Sequence, residues 1–296
     1  MNKPISVQLL EPTARVCPGQ PSPRFPPAGS GFIRDVVASV QQPLSACTVD
    51  GYIVNRSGQV TRIFFKREFN VVQPELEDGE IADALIRDQS VISAKQKLAG
   101  LAKKLNCGID YLFSPVGYPH IVTNPNKMLL VSVDDPSSGR ARRRFIQAED
   151  LAQHIQSYRG RSFSNPKPIT VATSNIECFL ANDRLINNSA DPFPGDLDFV
   201  LFDGDDVCSI AEFKTHNLDS DIANESCTRY QDKDWRRLEV LLNVTAALRC
   251  RIFYIFWGPK HSHVKIEEIT RDRKILNVQI MEKDAAHLAA FLSKNR

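Results

Sequence analysis

Between Pro194 and His216 the chain reads PGDLDFVLFDGDDVCSIAEFKTH. Two apolar runs, LDFVLF and VCSIAEFK, flank Asp203-Gly204-Asp205-Asp206, a turn composition, so the segment predicts an antiparallel hairpin. Its charges are oddly placed. Asp198 opens the first run, and Glu212 and Lys214 close the second, at the ends of strands that otherwise read as buried. Residues two apart on a strand point the same way, so Glu212 and Lys214 share a face, and antiparallel pairing brings that end beside Asp198. Two carboxylates so close repel each other, and burial raises the cost unless a divalent cation lies between them. Mg²⁺ suits such a site because it prefers oxygen ligands and keeps bound waters; Mn²⁺ can take its place. A metal-bound water yields hydroxide near neutral pH, and a lysine ammonium can orient it or neutralise a phosphate under attack. The plainer reading is a surface hairpin with charges on its rim.

The surrounding pattern sets this hairpin in an α/β unit. NIECFLANDRLI before it has helical spacing, as does YQDKDWRRLEVLLNVTAALR after it. RIFYIFW is an apolar run of the kind buried on both faces of a sheet, and VKIEEI, ILNVQI and the helix EKDAAHLAAFLSK follow. RGRSFSNPKP reads as a linker. Ahead of it come a helix in GFIRDVVASVQQ, strands GYIVN and QVTRIFF joined at Arg56-Ser57-Gly58, and the amphipathic helix SVISAKQKLAGLAKKLN. Strands IDYLFSP and KMLLVSV and the helix FIQAEDLAQHIQSY complete that part. Residues 1–30, with seven prolines, read as an extended arm. The expected division is therefore an arm at 1–30, an accessory unit at 31–160 and the hairpin-bearing unit at 161–296.

The two halves share an order of elements, and their hairpins align without gaps. VDGYIVNRSGQVTRIFFKRE lies over LDFVLFDGDDVCSIAEFKTH, pairing Asp50 with Asp198 and Lys66 with Lys214, and LNCGIDYLFSP resembles LRCRIFYIFWGP. A tandem duplication is one explanation, chance likeness between hairpins the other. In that alignment Phe64 stands opposite Glu212, so the first half lacks one acid. Glu68 follows Lys66, but in reversed order.

A net charge of +2 advertises no global basic field, so a nucleic acid would have to meet local patches. Candidates are Arg62, Lys66, Arg67, Lys95, Lys97, Lys103 and Lys104, and more sharply the run Arg140 to Arg144, with Arg142 and Arg143 at its centre, together with Arg159 and Arg161. Both groups can equally be solvated, salt-bridged surface. Seven scattered cysteines without a C-x-x-C pair argue against a disulfide framework or structural zinc and suit a reducing compartment, so the cytoplasm or nucleus is expected. No signal peptide or membrane span is read, and no phosphate-cradling G-x-x-x-x-G-K-[ST] is present. His261 and His263, two apart without nearby cysteines, make a poor zinc site. Asp203, Asp205 and Asp206 lack the calcium-loop pattern.

GDLDFVLF followed by IAEFKTH resembles the PD-(D/E)xK nuclease superfamily, the restriction-endonuclease-like fold, over roughly residues 170–260. The style is nearest to members with a G-acid-x-Asp first motif, such as Holliday-junction resolvases. The resemblance implies an α/β fold with a mixed central sheet flanked by helices, preceded by the unit of similar layout. It implies Asp198 and Glu212 as metal ligands with the Phe213 carbonyl, and Lys214 as the catalytic lysine. Glu177 stands where a further acid is expected, and Tyr230-Gln231 where some members carry a glutamine. His216 and Arg236 are further candidates for a nucleic-acid contact. One departure concerns Asp196: the acid before Asp198 follows Gly195, and no Asp stands directly after Pro194. The implied activity is Mg²⁺-dependent phosphodiester hydrolysis, DNA favoured over RNA, with a homodimer suited to cutting two strands. A fold-retaining module that binds nucleic acid or protein without turnover is the competing class.

Overall fold

The computed structural model describes residues 7–10, 29–71, 76–116, 127–138, 140–160, 195–216, 218–230 and 235–296. They form two compact units. Strand β1 (Val7–Leu10) and the described part of Gly51–Pro194 make the first; the described parts of Phe25–Asp50 and Gly195–Arg296 make the second. No helix among the described residues is long and apolar enough to cross a membrane.

In the second unit the expected hairpin is strands β7 (Gly195–Asp203) and β8 (Asp206–Thr215), with Gly204 at φ 58° supplying the left-handed turn position. They pair antiparallel through Phe199↔Ala211 and Val200↔Ile210. Helix α5 (Trp235–Leu248) then returns the chain to β9 (Arg251–Trp257), which runs parallel to β8 with Glu212↔Tyr254 and Lys214↔Phe256. Strands β10 (His263–Ile269) and β11 (Ile275–Glu282) add on antiparallel, and α6 (Ala285–Lys294) closes the unit. Strand β2 (Leu44–Val54), whose residues up to Asp50 belong to this unit, lies beside β7.

Alternation sorts the side chains. Phe199, Leu201, Ala211, Phe213, Phe253, Ile255, Val264 and Ile266 point to one face, where they pack with Leu288 and Leu292 of α6 and Val36 of α1 (Gly29–Ala38). The sequence reading placed that helix with residues 31–160. It joins the second unit instead because its apolar stripe meets this face: Phe32 stacks on Trp257 at 5.2 Å and sits edge-on to Phe213 at 6.4 Å. Glu212, Lys214, Tyr254, Lys265 and Glu267 therefore point to the opposite face.

The first unit follows the same order and directions. The end of β2, from Gly51, pairs antiparallel with β3 (Val60–Val71), and α3 (Gln89–Leu105) leads to β4 (Gly108–Pro115), parallel to β3. Then come β5 (Met128–Val133), β6 (Arg142–Ile146) and α4 (Ala148–Arg159). Two elements went unread in the sequence: α2 (Asp78–Ile86), and β1, which pairs with the far end of β3. A third lies in the arginine-rich run, which is largely strand β6. The registers of the units correspond, Gly51↔Phe64 with Phe199↔Ala211 and Arg62↔Gly108 with Ser209↔Arg251. Both long helices end on a left-handed residue, Asn106 and Arg249.

One detail corrects the gapless alignment. Val54 pairs with Val60 in the first unit and Phe202 with Val207 in the second, so the first hairpin carries one more residue in its turn. The strand after the turn is displaced by one. Phe65 and Arg67, not Phe64 and Lys66, occupy the positions of Glu212 and Lys214.

Where the second unit has an apolar core around Phe253, the first buries an ionic cluster. Arg62, 1% exposed, pairs with the fully buried Asp110; its Nη1 reaches Asp134 at 2.7 Å and Nη2 the Ile109 carbonyl at 3.0 Å. His154 donates from Nε2 to Asp110 at 2.8 Å, because Arg144 donates to its Nδ1 at 3.0 Å. The guanidinium passes directly over Gly108, where a Cβ would lie 2.2 Å from Nη1. Burial pushes the Asp110 carboxyl up, but the His154 hydrogen bond and the Arg62 charge outweigh it and hold the group below its ordinary range. A depressed carboxylate contributes stability above its unfolded value, near pH 4, and that stability is lost as pH falls through the folded value. Arg62→Met strands the buried Asp110 charge; it should cost about 3–5 kcal/mol at neutral pH, a cost that shrinks as pH falls and the carboxyl is protonated, as read from urea melts across a pH series.

Candidate active site

The geometry gathers the three charged residues singled out in the sequence around one short backbone segment. Glu212 is 1% exposed, and Lys214, two residues on and on the same face, sets its Nζ 3.0 Å from Glu212 Oε1. Asp198, on β7, accepts a hydrogen bond at Oδ2 from the backbone N–H of Phe213, 2.8 Å away. Phe213 is the residue between the acid and the lysine. This hydrogen bond seats Asp198 beside the peptide that joins Glu212 to Lys214. The Phe213 side chain points the other way, into the core.

A loop closes this face at the end of β8. It contains two short 3₁₀ turns, Ile222–Asn224 and Cys227–Tyr230, and buried charges fasten it. Lys265 Nζ donates to the carbonyls of Ala223 and Glu225 and pairs with Glu267 at 2.9 Å. Glu267 Oε2 accepts from Ser226 Oγ at 3.2 Å and from the Cys227 N–H at 2.8 Å. Burial, then the hydrogen bond to Glu267, pushes the Cys227 thiol up to about 12, so it stays protonated and inert. Glu225 faces His216 Nδ1 at 3.1 Å and Arg229 at 3.3 Å. His216 is thereby buried in the loop's attachment, its Nε2 lying 2.9 Å from the Ser220 carbonyl.

The remaining sequence candidates divide. Arg142 and Arg143 lie on β6 of the first unit, exposed and paired with Asp134 and Asp83. Glu177 and Gln231 lie outside the described residues, as do the side chains of Tyr230 and Arg236. At the matching position in the first unit, Arg67 stacks 3.9 Å over the Phe65 ring, a cation–π contact where the second unit has an ion pair. Lys265, Glu267 and Glu225 were missed. Lys-x-Glu on the apolar strand VKIEEI was a visible signal, since charges that alternate inward on a buried strand need partners; nothing local names the loop as that partner.

Among the described residues no three His, Cys, Asp or Glu side chains gather as a ready metal cage. Two carboxylates and a carbonyl, Asp198, Glu212 and Phe213, nonetheless fit a hard cation that keeps several waters and takes one or two protein carboxylates. A cleft of about 580 Å³ lies in the first unit, lined by Thr61, Arg62, Lys103, Asp134, Ser137 and Tyr158 among others. The Arg62 nitrogens there are engaged by Asp110, Asp134, Tyr158 and Ile109, which leaves little for a ligand.

No protein-family model matches the chain, and no curated protein matches it. A solved structure described as that of a sex pheromone staph-cAM373 precursor is similar over 94% of this chain and 84% of that chain, at 8% identity and a TM-score of 0.18. So slight a likeness supports no statement about fold or function.

Removing the loop's anchor isolates its contribution. Glu267→Ala leaves the buried Lys265 charge and the Cys227 N–H without their acceptor; we expect a loss of about 3–5 kcal/mol in denaturant melts and new protease cleavage between residues 218 and 230.

Proposed function

We propose that this chain is a metal-dependent nuclease of the PD-(D/E)xK type that hydrolyses phosphodiester bonds, most readily those of DNA. The observation that carries the reading is the Glu212–Lys214 pair on one buried strand, with Asp198 seated on the amide between them. The flanking order supports it: hairpin, helix, then a buried strand parallel to the second hairpin strand. Asp198, Glu212 and the Phe213 carbonyl would hold Mg²⁺, which when bound supplies a water of lowered pKa and a positive charge toward phosphate. Lys214, at 14% the more exposed of the pair, is the group able to meet a phosphate oxygen. Tyr254, opposite Glu212 in the next strand and itself buried, shields the carboxylate from water. We read the first unit as a degenerate duplicate, supported by the matched registers, in which Phe65 and Arg67 replace the acid and lysine.

One observation favours a second reading, a nuclease fold that binds nucleic acid or protein without turnover. At 3.0 Å the lysine already neutralises Glu212, as in a purely structural pair. Purified protein with Mg²⁺ or Mn²⁺, offered plasmid, linear and single-stranded DNA and RNA, separates the two. Asp198→Asn, Glu212→Gln and Lys214→Ala should each lower cleavage by roughly 100-fold or more with DNA binding retained. Absence of cleavage by the unaltered protein on every substrate leaves the binding module.

A further inference from the structure

Strand β11 ends the sheet of the second unit: β10 pairs with it on one side, and among the described residues no strand lies on the other. Such an edge presents a row of N–H and C=O groups able to pair with another chain, and sequences commonly guard it with charge. Strand β6 follows that rule, with Arg142, Arg143 and Arg144 in a row. Strand β11 does not. From Ile275 to Met281 it reads ILNVQIM, with no charge, proline or glycine. Leu276 is 67% exposed, Val278 50% and Ile280 47%. A single exposed apolar side chain is ordinary, but three at alternate positions of one open edge make a stripe. Val278 and Ile280 stand opposite Glu267 and Lys265 on β10 and so share that pair's face, whereas Met281 packs against the core on the other. Leu276 sits in a bulge, where the register steps from Glu268↔Asn277 to Ile269↔Ile275. The bulge disturbs only the start of the strand, since Asn277 to Glu282 run in unbroken register.

We propose that β11 is a self-association edge, which pairs antiparallel with β11 of a second copy of this chain about a two-fold axis at Val278. Opposed residues in an antiparallel pair project to the same face, so an axis through a residue carries the stripe from one copy into the next. At Val278 it sets that residue on its own counterpart and Leu276 opposite the partner's Ile280. The charges at the strand ends agree with this register. Arg271, Arg273 and Lys274 outnumber Asp272 at the entry, and Glu282 and Asp284 outnumber Lys283 at the exit. Antiparallel pairing lays each basic end along the partner's acidic end, with Lys274 level with Glu282; parallel pairing would set like ends together. Moving the axis one residue either way puts Leu276 against Glu282 or Ile280 against Lys274. Lys274 pairs with Asp272 at 2.9 Å in the single chain, an exposed contact that holds it weakly, and Lys283 donates to the Gly258 carbonyl at 2.8 Å. A strand that complements itself in apolar pattern and in charge is what a two-fold contact requires, and this selects a second copy over an unrelated strand. One strand pair is smaller than a standard interface, so the dimer is weak, with a dissociation constant on the order of 10 μM. The contact is independent of the nuclease reading, and its readouts need no cleavage.

Sedimentation velocity of the full chain from about 1 to about 200 μM, a range spanning that constant, tests the proposal. A monomer–dimer equilibrium is expected, and hydrogen exchange of the β11 amides should slow as the dimer fills while α6 is unchanged. Val278→Lys, at an exposed position and so without effect on thermal melting, sets two ammonium groups together at the axis and should weaken the dimer at least about tenfold. Lys274→Glu and Glu282→Lys should each weaken it by roughly threefold to tenfold, because each makes both end contacts like-charged. Mixing these two variants in equal amounts should restore association, since each then meets its opposite charge at both ends. A chain that stays monomeric throughout the range would overturn the proposal. So would a dimer indifferent to Val278→Lys, which uses another surface, or a mixture that associates no better than either variant alone. Protected β11 amides in a strictly monomeric chain would assign the edge to another segment of the same chain and would also overturn it.

Discussion

Strand β8 is bonded on both edges, antiparallel to β7 and parallel to β9, and this double commitment decides where its charges sit. A strand so held cannot slide to carry Glu212 and Lys214 into water, because a slip of one residue would drive Phe213 out of the core and both charges into it. The acid and the ammonium must therefore satisfy each other within the sheet, and Asp198 must find its partner in the peptide between them. Burying charges in this way costs more than burying apolar residues of like size. The same face carries a second such pair, Lys265 and Glu267 on β10.

The two units show different solutions to the same framework. Each has a hairpin, a long helix ending on a left-handed residue, a parallel strand, two antiparallel strands and a closing helix. The second places its buried charges on the face away from α1 and α6 and keeps the helix-packed face apolar. In the first, the helix side carries Arg62, Asp110 and His154, whereas Phe65 and Arg67 occupy the opposite face. The charge inventories have changed faces while the backbone plan has not.

Much of this was legible in the sequence. Strand alternation with a Gly-Asp turn revealed β7 and β8, and the unbroken apolar run of β9 announced a strand covered on both sides. The convergence of Asp198, Glu212 and Lys214 followed from strand periodicity alone. What was not legible depends on distant partners. Helix α1 carries an apolar stripe, but nothing in it names Trp257 as its target. The strand at Arg142–Ile146 was hidden because three arginines suppress the apolar signal at an edge position, where charge is expected to guard against unwanted pairing. The cluster at Arg62 joins residues up to 96 positions apart, and no local pattern encodes such a meeting.

The additional residue in the turn between Val54 and Val60 has a practical corollary for anyone comparing the halves. A gapless overlay matches Lys66 to Lys214, yet these ammonium groups project from opposite sides of their sheets, and Lys66 stands where Phe213 does. Substitutions chosen by that overlay would probe one face of the sheet in one half and the opposite face, with its Glu212–Lys214 pair, in the other. An added residue in a hairpin turns every side chain beyond it to the other face of the strand without replacing any of them.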